Sequence, residues 1–165
     1  MWLAAEQNPI DGWGAAGFTT RMSTSVHLVK GSSSIEFSDP RRPYDDEYFV
    51  GLLAEVIDGG MRAKSRVLLA RGLEQANLNE FLDEVAEGWK DGPKLSEFTS
   101  IEHDLAIRAT RDAFGHVGLR FTLSDGYREN AWTASVTISV DAGNDMTTFA
   151  ADMRRLCEVP FRPSA

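Results

Sequence analysis

Three stretches in the second half of the chain alternate apolar and polar side chains without interruption. Leu105, Ile107 and Ala109 alternate with Ala106, Arg108 and Thr110. Val117, Leu119, Phe121 and Leu123 alternate with His116, Gly118, Arg120 and Thr122. Trp132, Ala134, Val136, Ile138 and Val140 alternate with Thr133, Ser135, Thr137 and Ser139. A period of two belongs to a pleated strand with one buried and one wet face and is incompatible with a helix. One-sided burial is the mark of an antiparallel sheet, because parallel strands are covered on both faces. Asp112-Ala113-Phe114-Gly115 and Asp125-Gly126 between the stretches carry turn residues, which predicts a meander.

Upstream, Val26 to Lys30 and Ile35 to Ser38 read as short strands joined by Gly31 and a serine triplet. Asp39 to Asp46 contains Pro40 and Pro43, which have no N–H to give a ladder, so a surface loop is expected. Tyr48 to Ile57, the turn Asp58-Gly59-Gly60 and Arg62 to Arg71 read as a hairpin. Two amphipathic helices complete the pattern. Asn77 and Glu80 have capping-box spacing ahead of the stripe Leu78, Phe81, Leu82, Val85 and Trp89, and Gly92-Pro93 should end that helix. Asp145 is the expected N-cap of a second helix with Met146, Phe149, Ala150, Met153, Leu156 and Cys157 on its apolar face. These elements predict an α+β fold: one antiparallel sheet of about six to seven strands with two helices packed on one face, a two-layer sandwich. The two halves share a meander-then-helix plan without a sequence repeat. A single domain is expected over residues 22–160. Residues 1–21, with three glycines and no periodicity, read as an extension, and 161–165 as a tail.

Charge and cysteine content exclude several function classes. The net charge of −8 leaves no general basic face for phosphates, so nucleic acid is not an expected partner. No stretch approaches the ~18 apolar residues of a membrane span, and the first residues lack a basic start to a signal peptide, so no membrane association is expected. Cys157 is the only cysteine and falls on an apolar helical stripe, which fits a buried small hydrophobe in a reducing cytoplasm. His103 stands between Glu102 and Asp104, but no second histidine lies at ligand spacing and no HExxH or paired-cysteine pattern exists. Polar surface residues leading into a strand are the expectation there. No GxSxG elbow, GxGxxG or phosphate loop occurs, so no catalytic residue, metal or cofactor is predicted and the chain reads as a non-enzyme.

Two surfaces remain as candidate contacts. His116, Arg108 and Arg120 fall on the wet sides of neighbouring strands, with Gly118 leaving a local gap beside them. Glu80, Asp83, Glu84 and Glu87 lie off the apolar stripe of the first helix, where they would attract a basic protein partner. The first surface fits a small-ligand-binding or regulatory domain, the second a non-enzymatic protein-binding domain.

The order and spacing of Asp104-Leu105, Gly115-His116-Val117-Gly118-Leu119, Trp132, Ala134-Ser135-Val136, Ala142-Gly143 and Ala150-Ala151-Asp152 carry a family resemblance. From Met22 to Pro160 the chain resembles an actinobacterial family, domain of unknown function 6228. Phe98 stands where that family has a tryptophan ahead of the Asp-Leu pair. The resemblance implies no activity and transfers no catalytic residue. A fainter likeness runs to small immunity proteins that neutralise secreted bacterial toxins, through the acidic charge, the Gly-His-Val strand and the closing helix.

Overall fold

Each half of the chain runs as a four-strand meander that ends in a helix. The computed structural model describes residues 25–45, 48–71, 77–92, 94–126 and 128–158; the expectations for 1–21 and 161–165 lie outside them. The first half contains β1 (Ser25–Lys30), β2 (Ser33–Arg41), β3 (Phe49–Asp58), β4 (Met61–Ala70) and α1 (Leu78–Glu87), followed by a 3-10 turn at Gly88–Asp91. The second contains β5 (Leu95–Thr99), β6 (Leu105–Arg111), β7 (His116–Ser124), β8 (Thr133–Asp141) and α2 (Asn144–Cys157). Each meander is its own four-stranded antiparallel sheet, in the orders β1-β2-β3-β4 and β5-β6-β7-β8.

The single sheet of six to seven strands is therefore corrected to two sheets of four. The predicted alternation is present, because both sheets bury one face. They bury it against each other. Ile35, Phe37, Leu52 and Val67 of the first sheet share one core with Ile107, Leu119, Phe121 and Ile138 of the second. The rings of Phe37 and Phe121 meet edge to face at 6.1 Å, and Phe121 meets Phe149 of α2 at 6.3 Å. One side chain thus joins both sheets and a helix, and burying a ring of this size contributes about 2–3 kcal/mol. Nor do the helices cover one sheet face. α2 lies against β1 and β8, one strand from each sheet, and α1 lies against α2 and β5, so the helices bridge the sheets.

Several local expectations change for identifiable reasons. β5 went unread because only Phe98 of its five residues is buried, too little to show a period. β2 continues through Asp39-Pro40 to Arg41, where a loop was expected. The register shifts between Ser38 and Arg41, and Asp39 has φ 48°, so Pro40 sits in a bulge where no ladder bond is asked of it. Asn77 caps α1 as its spacing predicts, accepting from the N–H of Asn79 at 3.1 Å and Glu80 at 3.5 Å. The helix ends at Gly88, short of Gly92-Pro93. Gly143 with φ 104°, and not Asp145, is the N-cap of α2, and Asp145 sits in its first turn. Trp132 precedes β8 and stays 41% exposed.

Candidate functional site

The outer face of the second sheet is built by the parity of its strands. Register places Glu97, Arg108, Arg120 and Thr137 in one row across β5, β6, β7 and β8. The next row holds Thr99, Ala106, Thr122 and Ser135. Arg108 and Arg120 are directly opposed, a like-charge arrangement that costs stability unless neutralised. Glu97 takes Arg108, with Oε1 3.1 Å from Nε. Arg120 has no ion pair among the described residues. Thr122 and Ser135 share a hydroxyl hydrogen bond of 2.7 Å. These rows border an open groove of about 420 Å³ lined by Glu97, Arg108, Arg120, Thr122, Thr133 and Ser135.

His116 does not join them. It sits four residues from Arg120 on β7, about 13 Å along a strand at ~3.3 Å per residue. Its Nδ1 lies 2.9 Å from Asp112 Oδ2, while Asp112 Oδ1 accepts from the N–H groups of Phe114 (2.8 Å) and His116 (2.9 Å). The same bonds from His116 hold the Asp112 carboxyl below its usual range. The histidine therefore belongs to the β6–β7 turn. The gap expected at Gly118 is filled: a Cβ there would stand 2.9 Å from Thr110 Oγ1, which donates to the Gly118 carbonyl at 3.4 Å.

The acidic helix face divides. Asp83 is paired with Arg154 of α2. Glu80, Glu84 and Glu87 are exposed and without an ion pair among the described residues. A groove of about 680 Å³ separates α1 from α2, lined by both signs of charge, including Asp83, Glu87, Lys90, Arg154 and Arg155.

The most constrained polar group is one the sequence reading placed on the surface. Asp104 is 7% exposed. Its Oδ1 accepts from Ser100 Oγ at 2.5 Å, and its Oδ2 accepts from the Leu68 N–H of β4 at 3.1 Å. Leu105 N–H donates to Ser100 Oγ at 3.0 Å, closing the turn. Asp104 thus ties an edge strand of the first sheet to the start of β6 in the second. Burial raises its pKa, against the lowering effect of the hydrogen bonds. His103 has φ 56° in the turn before β6, so the alternation of β6 does not extend back through Glu102, His103 and Asp104. A serine four residues ahead of an aspartate at a strand start was the available signal.

Arg111 is the second buried charge and was also missed. It continues the inner-face series Leu105, Ile107 and Ala109, is 8% exposed, and has no partner for Nε or Nη1. Its guanidinium packs against Gly88, the C-cap of α1. α1 has no basic residue in its last turn, and Arg111 brings positive charge to that negative dipole end from another element. Cys157 is buried as expected, its thiol pushed up to about 12 by desolvation. Among the described residues no group of three or more His, Cys, Asp or Glu could hold a metal ion, and no helix is long and apolar enough to cross a membrane.

A family model matches residues 26–160 of the chain. The chain belongs to the family of unknown function DUF6228. The match spans both meanders and both helices, so the two-sheet domain and the family unit coincide. No curated protein and no solved structure matches the chain.

Proposed function

We propose that the chain is a non-enzymatic protein-binding domain, immunity-like in that it docks a basic partner. The observation that carries this is the face of α1. Glu80, Glu84 and Glu87 project into solvent without ion pairs among the described residues, while their neighbour Asp83 is already held by Arg154. Carboxylates left unneutralised on a rigid, capped helix in a chain of net charge −8 steer a cationic surface toward that helix. The test is capture from a native lysate by the wild type and by Glu80→Lys/Glu84→Lys/Glu87→Lys. A basic protein retained by the wild type and lost by the triple variant, with binding that weakens as salt rises, supports the reading. An unchanged set of captured proteins overturns it.

Arg120 favours a second reading: a small anionic ligand seated in the groove beside Arg108. It is the guanidinium of that row without a carboxylate partner, and the hydroxyls of Thr122, Thr133 and Ser135 border the same space. Stabilisation by an anion that Arg120→Ala abolishes, with the α1 triple variant unaffected, would favour this reading over the first.

A further inference from the structure

We infer that β8 is a self-pairing edge through which two copies of this chain join their second sheets into one continuous antiparallel sheet. β8 ends the order β5-β6-β7-β8, so one of its edges has no strand hydrogen-bonded to it. Two bonds fix which backbone groups face that edge. Asp125 N–H donates to Trp132 O at 3.3 Å, and Ala142 N–H donates to Gly115 O at 2.9 Å. The register between them runs without a shift from Ser124↔Thr133 to His116↔Asp141. Hydrogen-bonded pairs alternate along an antiparallel ladder, so the even-numbered residues of β8 turn their N–H and C=O toward β7. Thr133, Ser135, Thr137, Ser139 and Asp141 turn theirs outward, and none has a backbone partner among the described residues.

The other edges are protected. β5 has five residues and carries Glu97. β4 presents Arg62, Lys64 and Arg66, and its Leu68 N–H is taken by Asp104. β1 carries His27 and Lys30. β8 has no proline, no bulge and no charge before its last residue, which is the condition edge strands normally avoid.

The occupant is identified by the sequence of the strand. Thr-Ala-Ser-Val-Thr-Ile-Ser-Val-Asp is close to a palindrome about Thr137. Antiparallel pairing on a two-fold axis at Thr137 sets Val136 against Ile138, Ser135 against Ser139, Ala134 against Val140 and Thr133 against Asp141. Apolar residues then meet apolar ones on the inner face, hydroxyls meet hydroxyls or the Asp141 carboxylate on the outer face, and no like charges oppose. The outward backbone groups at 133, 135, 137, 139 and 141 fall opposite one another, so each pair exchanges two bonds. The surface is self-complementary, as a closed two-fold dimer requires.

The test uses the full chain. A strand pair buries a small interface of modest affinity, so mass should be followed by sedimentation and light scattering from about 5 to about 500 μM. The wild type should move to twice the monomer mass within this range. Thr137→Lys sets two ammonium groups face to face on the axis and should weaken association at least about tenfold. Thr137→Pro should do the same, since its missing N–H points away from β7 and costs the sheet no internal bond. Thr99→Lys adds the same charge at the opposite edge and should leave the dimer intact. A wild type that stays monomeric, a Thr137→Lys variant that still dimerises, or a Thr99→Lys variant that falls apart equally overturns the inference. Far-UV circular dichroism checks each fold, and Thr137→Lys decides alone if the proline variant is unfolded.

Discussion

Asp104 is the residue whose replacement tests the two-sheet packing most directly. Asp104→Ala removes the acceptor of the Leu68 N–H and of the Ser100 hydroxyl together, in a place that is 7% exposed. Hydrogen bonds to a charged group are worth about 1.5–3 kcal/mol each, and the donors left behind are not fully rehydrated. Losing both should cost about 3 kcal/mol, less than their sum because burial already disfavours the carboxylate. Asp104→Asn keeps an acceptor for Leu68 and turns its amide to Ser100 Oγ, so its cost should be about 1 kcal/mol. At roughly 2–4 °C per kcal/mol for a domain of this size, the alanine variant should melt about 6–12 °C below the wild type.

The pH dependence has a defined sign. The folded pKa of Asp104 is raised above the ordinary carboxylate value of 3.8, so the folded state binds the proton more tightly than the unfolded chain. Stability from this group is full below 3.8 and falls as pH rises through the window up to the folded pKa. The asparagine variant lacks that component, so the wild type should gain on it as pH is lowered through the window. Urea unfolding of the three proteins across pH measures both effects. An alanine variant within about 0.5 kcal/mol of the wild type, the range of an ordinary surface change, would refute the inter-sheet lock.

Further substitutions probe the outer face of the second sheet and the β6–β7 turn. Gly118→Ala brings its Cβ against Thr110 Oγ1 and should cost about 1–2 kcal/mol by thermal unfolding, most of it recovered in Gly118→Ala/Thr110→Ala. Asp112→Ala should lower the melting temperature because two turn N–H groups lose their acceptor, whereas His116→Ala loses one exposed side-chain contact and should leave it almost unchanged. Equal losses in the last two variants would mean that the imidazole, not the backbone bonding of Asp112, organises that turn.

Local periodicity made most elements legible, and its locality explains what escaped. The alternation at Leu105–Thr110, Val117–Leu123 and Ala134–Val140 reports which side chains are buried, but the same pattern serves a face covered by helices or by another sheet. Sheet membership is instead written in the connections. Gly31-Ser32, Gly59-Gly60 and Asp112 to Gly115 are short enough to keep successive strands paired, whereas the link from β4 to β5 contains a whole helix. The chain changes sheets there, at the midpoint of the repeated meander-then-helix plan.

The candidate site shows the same limit one level up. Parity placed Arg108 and Arg120 on one wet face, and register confirms them as direct neighbours. Which of the two keeps an unneutralised charge depends on Glu97, carried by a five-residue strand whose single buried side chain gave no period to read. Asp104 was misplaced for a related reason, since its second partner is a backbone N–H on β4 and no side-chain pattern marks an N–H. The groups with an unmet bond here, Arg120 and the outward edge of β8, are defined by what the neighbouring strand does or does not supply. A charge or a hydrogen-bond donor on a sheet becomes available to a partner only through the strand order, and that order is set outside the segment that carries it.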